Sequence, residues 1–212
     1  MHRVLHILAQ AYSIMLHPLL MPTYGILLLC YQVFVYSTTS PSFFAPYSAL
    51  MLGGTILLTL LVPVGIILLM WKLNYIDSLH IEDSKQRTAP YIYTIMAYGV
   101  WIFFLRSILH VPTMVVIIAV GALLALLAVT VVNLWWKISA HLTGLGGLIG
   151  AICSYALSTH QIPSIALISA LAIALLLMYA RLYLEAHTPL QVVAGLLLGI
   201  TCTSIPNIII YA

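Results

Sequence analysis

Seven long apolar stretches follow one another along this chain, at about residues 13–36, 49–71, 91–109, 111–134, 142–157, 163–184 and 188–211. A membrane-crossing helix needs roughly 20 predominantly apolar residues, and in hydrocarbon only a helix or a closed barrel satisfies its own backbone polar groups. Successive runs of that length leave little sequence for a soluble core. The 212 residues are 64% hydrophobic and only 5% charged, in keeping with that reading. The expected fold class is all-α: a polytopic integral membrane helical bundle of six to seven transmembrane helices, in a single domain over residues 1–212. The count depends on the first stretch, whose His17, Pro18 and Pro22 make it kinked, re-entrant or partly interfacial. Neighbouring helices satisfy the carbonyls that proline frees.

Seven Lys plus Arg against four Asp plus Glu give a net charge of +3. That is too few charges for a nucleic-acid surface, and the excess is local. Cys30, Cys153 and Cys202 lie in separate apolar runs, without the spacing of a metal site or a disulfide framework. They read as small membrane-buried residues. No cofactor motif is present, and no ligand spacing around His80 supports a metal. Residues 1–11 carry His2, Arg3 and His6 but no small-residue cleavage site, so a removed signal peptide is not expected. Gly146-x-x-x-Gly150 and Gly195-x-x-x-Gly199 have the spacing of close helix packing.

Parity organises the polar residues. The stretches 72–90, 135–141 and 181–187 are separated by two spans each, so all three emerge on one membrane face. The opposite face receives 37–46, the turn at His110 and 158–161, which are nearly uncharged. The shared face therefore collects Lys85, Arg87, Lys137, Ser139, His141, Arg181, Glu185, His187 and Gln191. Ionisable residues at a membrane boundary are costly and mark function by default. Arg binds phosphoryl oxygens in bidentate fashion, Lys adds a point charge and Ser a donor. One His can attack phosphorus while a second protonates the leaving alkoxide. Helix starts just after Ser139 and near His187 add dipole stabilisation for an anion.

Each of these residues also has a plainer reading. Arg3, Lys72 and Lys137 serve equally well as cytoplasmic anchors, and Arg181 as a snorkelling cation. His17, His110 and His160 read as interfacial or helix-contact histidines, and Arg106 as snorkelling to the opposite face. Asp77, Glu82 and Asp83 read as solvated loop. Outside the candidate site, Arg3, Lys72 and Lys137 against Arg106 do not orient the protein in the bilayer.

At these positions the chain resembles the type 2 phosphatidic acid phosphatase (PAP2) superfamily, over roughly residues 72–200. The string Arg181-x5-His187-Thr-Pro-Leu-Gln-Val-Val-Ala-Gly195 is similar to the third family motif. Ile138-Ser139-Ala140-His141 is similar to the second, and Lys85-Gln-Arg87-Thr-Ala-Pro90 is a compressed form of the first. The resemblance implies a PAP2-like core with His187 as nucleophile, His141 as general acid, and Arg181, Ser139, Arg87 and Lys85 as phosphate ligands. Gln191 stands where the family carries the Asp that orients the nucleophile, and Ala180 where it carries Ser. The implied activity is that of a membrane lipid-phosphate phosphatase or phosphotransferase, needing no metal or cofactor, in a bacterial inner membrane. Phosphatidate, phosphatidylglycerol phosphate, polyprenyl diphosphate and lipid A phosphates all remain open as substrates. The rival reading is a catalytically impaired relative that binds a lipid phosphate or a membrane partner. A transporter is the third, without an inverted repeat to support it.

Overall fold

The computed structural model describes residues 2–36, 41–77 and 84–211, with side chains described over 3–32, 47–77 and 88–210. Among the described residues every regular element is helical. Seven stretches are long and apolar enough to cross a membrane: Arg3–Gln32, Tyr47–Lys72, Thr88–Ile108, Thr113–Val132, Ala140–Thr159, Ser164–Tyr183 and Pro189–Ile210. The chain is an integral membrane helical bundle, and the expected apolar runs fall on these seven stretches.

The first stretch is kinked. Helix α1 (His2–Met15) gives way to a 3-10 turn at Pro18–Leu20, after which α2 runs over Met21–Tyr36. Pro18 and Pro22 supply no N–H, so the helical ladder fails between them and the preceding turn. His17 takes an extended backbone at φ −62°, ψ 138°, and its side chain caps the 3-10 turn. Across the break the Tyr24 hydroxyl donates to the Met15 carbonyl at 2.8 Å. Nine residues of straight helix would rise about 13.5 Å, so the axis bends sharply here.

Helix α3 (Pro41–Thr55) continues through a π-helical segment, Ile56–Leu61, into α4 (Val62–Lys72). Pro63 cannot donate to the turn below it, and the wider π segment takes up the mismatch. Inside this bent rod Thr55 donates to the Met51 carbonyl at 2.7 Å and accepts from Trp101 Nε1 at 2.9 Å. That bond ties it to α5 (Ser84–Phe103), which ends in a second π segment, Phe104–Ile108. Helices α6 (Thr113–Val132), α7 (Ala140–Thr159), α8 (Ser164–Tyr183) and α9 (Pro189–Tyr211) complete the chain.

Helices α7 and α9 form the tightest pair, and the two glycine motifs are the reason. A Cβ at Gly195 would lie 2.6 Å from the Ser139 carbonyl oxygen. At Gly146, Gly150 and Gly199 it would collide with Leu196 O, Thr203 Oγ1 and Thr143 O respectively. Small residues let backbones approach this closely in a bilayer, where no hydrophobic force pushes helices together. Ser154 Oγ donates across the seam to the Thr203 carbonyl at 2.9 Å. One apolar cluster, with Leu142, Leu145, Ile149, Leu177 and Val192, packs around this pair. A second, with Ile26, Met51, Tyr98, Trp101, Leu105 and Val115, joins α2, α3, α5 and α6. On α8 the side chains of Ile165, Ile168, Leu175 and Tyr179 face outward, as a lipid-facing helix requires.

Candidate functional site

The N-termini of α7 and α9 meet at one end of the bundle. Ser139 caps α7: its hydroxyl accepts from Leu142 N–H at 3.5 Å, and its carbonyl accepts from Thr143 N–H at 3.0 Å. Helix α9 opens with Thr188-Pro-Leu-Gln191, a capping box with proline at the first helical position. Gln191 Oε1 accepts from the Thr188 backbone N–H at 3.0 Å. A backbone bond from Ser139 N–H to the Gln191 carbonyl, 3.3 Å, joins the two helix starts. The glycine seam immediately below fixes their separation.

His187 lies just ahead of α9, after a left-handed residue, Glu185, at φ 51°. Its Nδ1 is 3.2 Å from the Lys137 carbonyl oxygen and 3.3 Å from Gln191 Oε1. The Thr188 N–H identifies that end of the amide as oxygen, so both neighbours of Nδ1 are acceptors. Nδ1 therefore carries the proton, and the lone pair is left on Nε2. Burial pushes the His187 pKa down to about 4, the nearby Arg181 charge pushes the same way, and the Lys137 and Gln191 oxygens oppose them. At neutral pH the ring is uncharged, with a free nucleophilic nitrogen.

His141, in the first turn of α7, is hydrogen-bonded to the Ser13 backbone carbonyl and lies within electrostatic reach of Arg181, His17 and His187. Its ring meets that of His17 edge to face, with centroids 5.5 Å apart and planes at 81°. Arg181, in the last turn of α8, holds its Nε away from solvent without a hydrogen-bond partner among the described residues.

All four of these side chains line one cavity of about 370 Å³. Below them the walls are apolar, with Ile26, Leu29, Trp101, Val115, Ala122 and Leu126. The lining residues on α6 run from Val115 to Val129, which at 1.5 Å per residue is about 21 Å of depth. A guanidinium and three imidazoles thus cap a long hydrocarbon-lined chamber. Among the described residues no three His, Cys, Asp or Glu side chains are arranged to share a metal ion.

His141, Arg181 and His187 come together as the parity argument requires. Ser139 stands apart from them. It is fully buried, its hydroxyl is used as a helix cap, and it is not part of the cavity wall. Gln191 lies behind His187, where it accepts, and does not line the cavity. The backbones of Lys85 and Arg87 sit in the first turn of α5, six and four residues along the chain from Tyr91 of the cavity wall; their side chains lie outside the described residues, as do His80, Glu82 and Asp83. Glu185 is exposed, and the Nδ1 partners of His187 are Lys137 and Gln191. Arg106, His110 and His160 are exposed and do not line the cavity; His110 and His160 take left-handed conformations where helical segments end. The walls come from all seven spans, beyond the third, fifth, sixth and seventh that the motifs nominate.

His17, read as an interfacial or helix-contact histidine, does contact the His141 ring, and it also lines the cavity. Its signal was available: an ionisable imidazole followed by proline, inside an apolar run, marks a position as Arg181 does. The chamber itself had no signal, since its lining residues are spread over seven helices without a common pattern.

No family model, no curated protein and no solved structure matches this chain.

Proposed function

We propose that this protein binds a phosphorylated lipid and transfers its phosphoryl group through His187, as a membrane lipid-phosphate phosphatase or phosphotransferase of the PAP2 kind its motifs resemble. The carrying observation is the juxtaposition of Arg181, His141 and His187 at the head of an apolar chamber of about 370 Å³. A half-buried guanidinium whose Nε is shut away from solvent without a partner among the described residues calls for an anion, and Arg suits the oxygens of a phosphoryl group. The apolar depth below suits a hydrocarbon chain. A lipid tail leaving the bilayer gains little hydrophobic free energy there, because it was already in hydrocarbon. Affinity therefore comes from the head, and the chamber selects by shape.

In the proposed reaction the His187 Nε2 lone pair attacks phosphorus and the P–O bond to the lipid alcohol breaks. His141 in its protonated form gives its proton to the departing alkoxide. Arg181 neutralises charge on the phosphoryl oxygens throughout. Water, activated by the now neutral His141, then attacks the phosphohistidine, which releases phosphate and restores His187. The resemblance places such a protein in a bacterial inner membrane.

One observation favours a second reading, binding without turnover. The Nδ1 partners of His187 are a carbonyl and an amide, and neither carries the charge that would stabilise an imidazolium. Protein in detergent, incubated with a panel of lipid phosphates while free phosphate is measured, separates the two. Release that disappears in His187→Ala supports the enzyme. Saturable lipid-phosphate binding with no release supports the second reading, and neither binding nor release would overturn both.

A further inference from the structure

We propose that His17, carried on the break between α1 and α2, is a further ligand of the bound phosphoryl group and donates to it from Nε2–H. The inference rests on the lipid-phosphate reading above and assigns a residue that none of the motifs includes.

The first support is position. The Pro18 break ends α1 early and turns the chain, so that an imidazole from the first span enters the cavity head beside His141. Imidazoles in apolar segments are costly and rarely idle. Helix caps are ordinarily Ser, Thr, Asp or Asn, and any of these would close the 3-10 turn as well as His17 does. Capping alone gives no reason for the ring.

The second support is the tautomer. His17 Nδ1 accepts from the Leu19 backbone N–H at 3.3 Å. A backbone N–H is always a donor, so the Nδ1 lone pair is occupied and the single proton of the neutral ring must sit on Nε2. The three cavity imidazoles are therefore not equivalent. His187 directs its proton back at Lys137 and Gln191 and offers a lone pair. His141 gives a proton to the Ser13 carbonyl. His17 is held with its proton-bearing nitrogen away from its backbone partner.

The third support is complementarity. A phosphoryl group presents acceptor oxygens and needs donors around it. Arg181 supplies charge, and a neutral N–H from His17 adds a donor without adding repulsion between cations. The lone pair of His187 is left for phosphorus itself. The division of roles follows from which backbone atom each ring faces.

Two substitutions separate this role from capping. His17→Asn keeps an oxygen near the Nδ1 position, able to cap Leu19 N–H, and removes the distal donor. His17→Gln extends an amide N–H toward the Nε2 position and weakens the cap. Binding of orthovanadate to the full-length protein in detergent is measured for both, alongside thermal melting. The wild type is expected to bind, His17→Asn to melt like it but bind about tenfold or more weakly, as the loss of a hydrogen bond to a charged group implies. His17→Gln is expected to stay within a few-fold of wild type even if it melts lower. Wild-type affinity in His17→Asn, or weaker binding by His17→Gln than by His17→Asn, would overturn the role of His17 alone. Should His17→Asn fail to fold, His17→Gln decides: retained affinity supports the role and lost affinity overturns it. No vanadate binding by the wild type would remove the phosphate reading itself, and this inference with it.

Discussion

Gln191→Glu converts the amide behind His187 into a carboxylate without changing its length. Thr188-Pro-Leu-Glu would still be a capping box, so the start of α9 is kept, and a charged oxygen takes the place now 3.3 Å from Nδ1. At about 4 Å and an effective dielectric of about 20, a carboxylate and an imidazolium attract by about 4 kcal/mol. Desolvation of the new charge offsets part of this, and an opposite charge at such range raises a pKa by about 1–3 units. The His187 pKa is then expected to move from about 4 to between about 5 and 7. Each unit is about 1.4 kcal/mol, or tenfold in equilibrium, so a reaction that builds imidazolium character on His187 gains roughly tenfold per unit. The pKa is read from NMR of ring-labelled histidine in nanodiscs, and turnover from phosphate released by a lipid phosphate. A folded variant whose His187 pKa does not rise would refute the placement of residue 191 behind the ring. A raised pKa with unchanged turnover would refute His187 as nucleophile.

Arg181→Ala should weaken orthovanadate binding by about tenfold or more, the worth of charge-assisted hydrogen bonds, while Arg106→Ala leaves it unchanged; equal effects would make Arg181 an anchor. Gly199→Leu forces a side chain into the backbone of α7 and should cost more than about 3 kcal/mol, the scale of severe overpacking, read as a collapse of the melting temperature. Gly99→Ala meets nothing within 4 Å and should be neutral or stabilising by up to about 1 kcal/mol. Ala122→Phe fills the chamber and should abolish capture of long-chain lipid phosphates while orthovanadate affinity persists. Because His187 in the folded protein titrates at about 4, below its ordinary 6.5, the stability it contributes is present above pH 6.5 and is lost as pH falls toward 4. The acid limb of kcat/KM, which reports the essential base of the free enzyme, should accordingly fall near pH 4, and a limb at 6.5 would show that the ring is not so desolvated.

The bundle was legible because each span is written locally, as an apolar run bounded by polar turns. The face shared by His141, Arg181 and His187 was legible for the same reason, since parity needs only the number of spans between motifs. Ser139 shows how one position can carry two local signals. Two residues before His141 it looks like a ligand, but the same position is the N-cap of α7, and capping takes the hydroxyl inward. Gln191 likewise carries two signals in one residue, since the Thr188–Gln191 spacing is a capping box as well as a weakened motif. His17 and the chamber were hidden because they arise from tertiary juxtaposition: a break in the first span matters only once α7 and α8 have brought His141 and Arg181 beside it.

The glycine seam between α7 and α9 has a consequence for how the site meets changing surroundings. The starts of α7 and α9, beside His141 and His187, are spaced by backbone against backbone. Ionic strength, which screens exposed charges beyond about 8 Å at physiological salt, has no purchase on such a spacer, and neither does proton concentration. The spacing of the two helix starts is therefore set by backbone packing, and a ligand meeting both rings would have to match it. His17 sits instead at the N-cap of a three-residue turn, its ring accepting from Leu19 N–H at 3.3 Å and its carbonyl from Leu20 N–H at 2.9 Å, so its place depends on that turn and not on the seam.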